Sequence, residues 1–177
     1  ARNNNELVAI FGNFINRVVV LTNKYYDGVI PTPNEFLDVD KETLKTLQSY
    51  PIIVSKSIER YRFREASQEL MNLARLGNKY LADAEPWKVV KTAPERVQTI
   101  MYVALQIAAA LAVVSEPLLP LTSQKLKTML NLEPLTWADI ESGDPLLKSS
   151  HQIGEAHLLF AKIEDTEVEF QLEKLAQ

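Results

Sequence analysis

Two small groups of residues in this chain have types and spacing suited to recognition chemistry. Asn13 and Arg17 are one helical turn apart, and Trp87 stands directly behind Pro86. On a helix, side chains four residues apart lie one above the other. Asn supplies an acceptor and two donors, and Arg supplies a rigid fork of donors. Together they could read the edge of an unpaired base. Spacing alone equally allows a solvated helix face with one local hydrogen bond. Trp87 has the same double character: a Trp at a helix break can anchor a core or serve as a stacking platform.

Catalytic and metal-binding chemistry has less to work with. The chain has no Cys, which excludes a thiol nucleophile, a disulfide and a Cys-ligated zinc site. His151 and His157 are its two histidines, and both are expected at the surface. Glu65 and Glu69 have the i,i+4 spacing of a solvated helix face. The five glycines, at 12, 28, 77, 143 and 154, form no phosphate-binding loop. No catalytic residue and no metal ligand is assigned.

The elements that must position these residues read as helices. Leu7, Phe11, Phe14, Val18, Leu21 and Tyr25 recur at spacings of three and four, which predicts a first helix over Glu6 to Tyr26. Asn5 is its expected cap and Gly28 its left-handed stop. A second helix is expected from a cap at Asp40, kinked or split at Pro51. A third begins near Arg62, with Phe63, Ala66, Leu70, Leu73, Gly77 and Tyr80 as its stripe. Gly77 predicts a close helix crossing, because mid-helix Gly costs about 1 kcal/mol against Ala. Pro86 breaks this helix. A fourth runs from Pro94 to about Ser115, apolar nearly all round, and is expected at the centre of the bundle. A fifth occupies about Thr122 to Leu130. Beyond it the sequence reads as irregular: a short helical turn at Trp137, an extended stretch over Leu158 to Ile163, and an amphipathic helix over Asp165 to Leu175. The expected fold is all-α, a bundle of about five helices in one domain over 1–177. Its helical core covers about 5–131, and a short irregular C-terminal extension covers about 132–177.

Composition narrows the partners. A hydrophobic content of 46% supports a real core. The formal net charge of −4 argues against broad phosphate-driven binding of DNA or RNA, yet permits a small site reading a few bases. Residues 1–9 lack the apolar centre of a signal peptide. Ile100 to Val114 is shorter than the roughly 20 residues a bilayer needs, so neither membrane insertion nor secretion is expected. The absence of Cys fits a reducing, cytoplasmic setting.

Several stretches together resemble the anticodon-binding domain of the methionyl-tRNA synthetases. Gly12-Asn13-Phe14-Ile15-Asn16-Arg17-Val18 and Lys24-Tyr25-Tyr26-Asp27-Gly28 resemble that domain's first helix. Tyr61-Arg62-Phe63-Arg64-Glu65-Ala66 resembles its third-helix signature. Asn78-Lys79-Tyr80-Leu81 with Glu85-Pro86-Trp87-Lys88 resembles the stretch bearing the anticodon-stacking Trp. Pro117 to Pro120 and Thr136-Trp137 fall in matching places, and the collinear match spans about 5–163. The resemblance implies that Asn13 and Arg17 hydrogen-bond anticodon bases, that Trp87 stacks on the first of them, and that Pro86 shapes the turn. Ala9 stands where some bacterial members carry Asn. The implied partner is methionine tRNA, with its CAU anticodon. The implied parent enzyme attaches methionine to tRNA using ATP with Mg, and Zn where its cysteine-bearing insertion is present. The nucleotide-binding motifs of the His-Ile-Gly-His and Lys-Met-Ser-Lys-Ser types are not found in this sequence. The chain is therefore expected to be catalytically inactive by itself, to need no cofactor, and to work beside a catalytic domain.

Two rivals remain. The anticodon domains of other class I synthetases, for cysteine, valine, isoleucine or leucine, resemble the same architecture. Pro86-Trp87 together with Asn13 to Arg17 favours methionine. A helical protein-binding scaffold would instead show an apolar groove and no tRNA preference.

Overall fold

In the computed structural model, which describes residues 3–175, the chain is helical from its first described residue. Asn3–Gly12 winds in the wider π form and runs straight into α1 (Asn13–Tyr26). There follow α2 (Asp38–Glu59), α3 (Phe63–Ala84), the single turn α4 (Pro86–Val89), α5 (Pro94–Val114), α6 (Pro120–Met129), α7 (Trp137–Ser142) and α8 (Asp165–Leu175). Among the described residues no strand forms, and one isolated bridge joins Val29 to Gln152. The class is all-α, as expected; α7 and α8 stand where the helical turn at Trp137 and the amphipathic helix over Asp165 to Leu175 were expected, and α4 is the helix not read from the sequence.

The core is organised by α5. Every residue from Thr99 to Val114 is buried. The helix is long and apolar enough to cross a membrane, but 94% of its apolar window is packed inside the protein. α1, α2, α3 and α6 surround it. The polar interruption in this helix, Gln106, has a definite task. Its amide nitrogen donates to Leu147 O at 2.8 Å, and its oxygen accepts from the N–H groups of Leu146 and Leu147 at 2.8 and 3.2 Å. Gly77 marks the crossing of α3 with α1, where a Cβ would overlap the ring of Phe14.

Several local expectations need correction. Asn5 does not cap the first helix, because the chain is already helical at Asn3. The polar side chains at this end are recruited elsewhere: Asn3 donates to Ala161 O at 2.9 Å, and Asn4 both donates to Ile163 O and accepts from Ile163 N–H. Residues 158–163 carry no regular secondary structure, and these side chains hold the backbone at Ala161 and Ile163. Asp40 lies in the first turn of α2 rather than at its cap, and its carboxylate accepts the Leu37 N–H at 2.9 Å. Pro51 does not split α2, which continues to Glu59. Packing against α3, α5 and α7 outweighs one missing backbone bond. The stretch 132–153 belongs to the common core, where Ile140, Leu147 and Ile153 are buried. Its isolated apolar residues carry too little periodicity to betray this. His151 is half-buried, with its ring 2.8 Å from Leu130 O, whereas His157 is exposed as expected.

A buried network ties α2, α3 and α5. Asp40, fully buried, accepts from the Tyr80 hydroxyl at 2.5 Å and from both terminal nitrogens of Arg96 at 2.5 and 2.9 Å. Burial alone raises the pKa of this carboxyl. The hydrogen bonds from Arg96, Tyr80 and Leu37 reverse that and hold it below its ordinary 3.8. Burial and the bond to Asp40 push the Tyr80 phenol far up. Tyr80 and Arg96 are the two feet of the segment that carries α4, so the network fixes both ends of that segment.

Candidate nucleic-acid interface

The sequence gives α4 an abrupt start. Glu85 ends α3 in the left-handed region at φ 42°, and Pro86 opens α4 as its first residue, where a missing N–H costs nothing. Pro86 is buried, so it shapes the turn from below. Glu85 reaches forward to Lys88 at 2.7 Å and braces it. Trp87 is thereby lifted out of the core: it is 37% exposed, which sets aside the core-anchor alternative.

Arg17 meets it from α1. The Arg17 guanidinium carbon lies 4.8 Å from the centroid of the Trp87 ring, a cation–π contact. Asn13, one turn earlier, is exposed on the same flank. The three residues, 13, 17 and 87, are thus brought together on one surface, across a long separation in sequence. The close α1–α3 crossing at Gly77 makes this possible.

Asn78 is the member that sequence reasoning missed. Its amide nitrogen donates to Ile10 O at 2.8 Å and lies 3.4 Å from Ala74 O. Its oxygen therefore faces outward and accepts from the amide nitrogen of Asn13 at 3.3 Å. This fixes which way Asn13 points: its nitrogen toward Asn78 and its carbonyl oxygen away. The available signal was an Asn in a helix interior four residues after a small Ala, on the face that meets α1. Beside Asn13 a cavity of about 440 Å³ opens between Ala9, Gly12, Asn16 and the segment His157 to Phe160. Ala9, lacking an amide, forms part of its apolar wall.

The surface offers an acceptor at Asn13, donors at Arg17 and an aromatic face at Trp87, none of them hydrolytic or redox groups. Among the described residues no group of three or more His, Asp or Glu is placed to hold a metal ion.

Comparison with known proteins places the chain in a family. Residues 30–177 match the sequence model of the anticodon binding domain of methionyl tRNA ligase. Relatives named methionine–tRNA ligase include those of Flavobacterium psychrophilum, 64% identical over 176 residues, and Christiangramia forsetii, 63% identical over 181 residues. Each alignment covers 99% of this chain, α1 included, and 26% of the relative. The chain thus spans about a quarter of the length of the relatives it matches. A solved structure, Mycobacterium tuberculosis methionyl-tRNA synthetase in complex with methionyl-adenylate, superposes with a TM-score of 0.84 at 23% identity, over 91% of this chain and 32% of that one. At that identity it supports the fold. The matched family and the helical fold agree, and the chain belongs to the family of methionyl-tRNA ligase anticodon-binding domains.

Proposed function

We propose that this chain reads the anticodon of methionine tRNA, through Asn13, Arg17 and Trp87, on behalf of a ligase that attaches methionine to that tRNA. The observation that carries it is the stacked Arg17–Trp87 pair, 4.8 Å apart, with an oriented Asn13 beside it. Cytosine, the first base of CAU, presents an exocyclic amine donor beside ring acceptors on its pairing edge. The outward Asn13 oxygen suits the amine, and the Arg17 fork suits the acceptors. Uracil in that place would set acceptor against acceptor at Asn13. The exposed part of the indole stacks on the unpaired base, contributing affinity with little selectivity.

The rest of the activity belongs to the parent. An acyl-adenylate forms from an amino acid and ATP, so the parent uses ATP to activate methionine. Mg, and Zn where an insertion carries cysteines, have no holder among the residues described here. The parent works in the cytoplasm, where its tRNA is found.

Binding of methionine tRNA should be compared with that of the same tRNA carrying a uracil at the first anticodon position. A clear preference for CAU is expected, lost in Asn13→Ala and Arg17→Ala. Equal binding of the two tRNAs by the unaltered chain would sink the proposal. Pyrophosphate exchange dependent on methionine should be undetectable with this chain alone, in preparations free of host enzyme.

A further inference from the structure

At the turn between α2 and α3 lies an aromatic and basic cluster that anticodon reading leaves unused. α2 ends in a paired cap: Tyr61 N–H donates to Ile58 O at 2.9 Å, and Arg62 N–H to Ser57 O at 2.8 Å. Such a cap holds one residue in the left-handed region, the usual place of a glycine. Here that residue is Tyr61, at φ 57°. A left-handed backbone strains any residue with a Cβ. The ring stands outside the core: Tyr61 is 83% exposed, and its ring meets that of the half-exposed Phe63 edge-on, with centroids 6.4 Å apart. An aromatic kept in a strained position outside the core points to a contact beyond the chain.

The charge around it identifies the contact. Between residues 56 and 65, Lys56, Arg60, Arg62 and Arg64 stand against Glu59 and Glu65, in a chain of net charge −4. Glu65 is engaged by Ser57 at 2.9 Å and by Arg62 at 3.5 Å. Among the described residues, the side chains of Arg60 and Arg64 pair with no carboxylate, and both are exposed. The turn is also linked to the anticodon-reading surface. Arg64, Gln68, Arg75 and Lys79 fall within about 60° of one another around α3. This polar stripe runs along the helix to Lys79, the neighbour of Asn78 in sequence. With 22 residues, α3 is about 33 Å long, on the order of ten base pairs of duplex rise.

We propose that the α2–α3 turn is a second RNA contact, in which Arg60 and Arg64 hold backbone phosphates of the tRNA's stem and Tyr61 packs on the adjoining sugar. Contacts of this kind position an RNA without reading its sequence. The proposal takes the identity of the RNA from the anticodon reading, but its chemistry is independent of it.

The test uses this chain with fluorescently tagged methionine tRNA and with the same tRNA bearing an altered anticodon, titrated from about 50 mM salt upward. Tyr61→Gly should melt at or above the temperature of the unaltered chain, because glycine fits the left-handed cap. It should nevertheless bind both tRNAs roughly 5-fold more weakly, the size of one modest contact. Arg60→Gln with Arg64→Gln should weaken both tRNAs equally. That pair should also lower the slope of log Kd against log salt by about 1.5–2. Unchanged affinity and slope in both variants would overturn the proposal, and so would an absence of measurable binding by the unaltered chain. That unchanged result is also what a turn covered by another part of the polypeptide would give. If the unaltered chain ignores the anticodon while the variants still lose affinity, anticodon reading fails and this contact stands. If the unaltered chain discriminates and the variants match it, the reverse holds.

Discussion

Under the proposed anticodon reading, a side chain outside the three reading residues would decide what is read. Asn78 holds Asn13 in one amide orientation because its own nitrogen is already committed to Ile10 O. Asn78→Ala should cost about 1 kcal/mol in urea unfolding, the worth of a typical hydrogen bond. It should also relax the preference for cytosine nearly as far as Asn13→Ala, measured as the ratio of Kd values for the two tRNAs. Trp87→Ala should weaken both tRNAs by about 1–3 kcal/mol, with their ratio little changed, since stacking tolerates any base. A fall in that ratio as large as the fall in affinity would show the indole selecting rather than stacking. Asn13, Arg17 and Trp87 were legible in the sequence through a resemblance. Asn78 was quoted within it but had no role, because its importance lies in a contact 65 residues away in the chain.

At the scale of elements, two contacts set the frame. Gly77→Ala would place a methyl group inside the Phe14 ring and force α1 and α3 apart. Overpacking costs about 1–3 kcal/mol, and the gain of about 1 kcal/mol in helix propensity offsets part of it. A net loss of roughly 1–2 kcal/mol is expected in denaturant unfolding. The buried Asp40 gives a pH signature. Its folded-state pKa lies below the unfolded one, so its stabilisation is present above about pH 4 and is lost as pH falls through the folded value. Arg96→Leu should cost about 3 kcal/mol at pH 7, because a buried carboxylate loses its counter-charge. The penalty should shrink as pH is lowered toward about 4, where a protonated Asp40 no longer needs the guanidinium. A pH-independent penalty would mean that lost packing, not charge, is responsible. The long helices were legible because the 3.6-residue period of their apolar stripes repeats over several turns. The survival of α2 across Pro51 was not, since packing on three neighbours decides it. The role of Asp40 was also hidden: as a helix-start residue it looked like a cap, and nothing local announces partners 40 and 56 positions away.

For the whole molecule, the end of the chain divides into a part that belongs to the core and a part that does not. Gln106→Leu would leave the two N–H groups and one carbonyl of Leu146 and Leu147 without partners. It should cost about 2–4 kcal/mol by calorimetry, although it makes α5 more apolar. α8, by contrast, buries no residue. Removing everything after Glu164 should change stability by less than about 0.5 kcal/mol. The sequence marked Gln106 as a flaw in an apolar run, and the fold makes it the peg for the returning chain. This arrangement has a consequence for how the protein is made. α5 is covered partly by residues that precede it and partly by Leu126, Ile140, Leu147 and Ile153, which follow it. A ribosome adds about 5–20 residues per second. The roughly forty residues from Ser115 to Ile153 therefore take about 2–8 s to add. For those seconds a helix apolar enough to span a bilayer waits half-covered, and a nascent chain stalled there is the form most in need of a chaperone's grip.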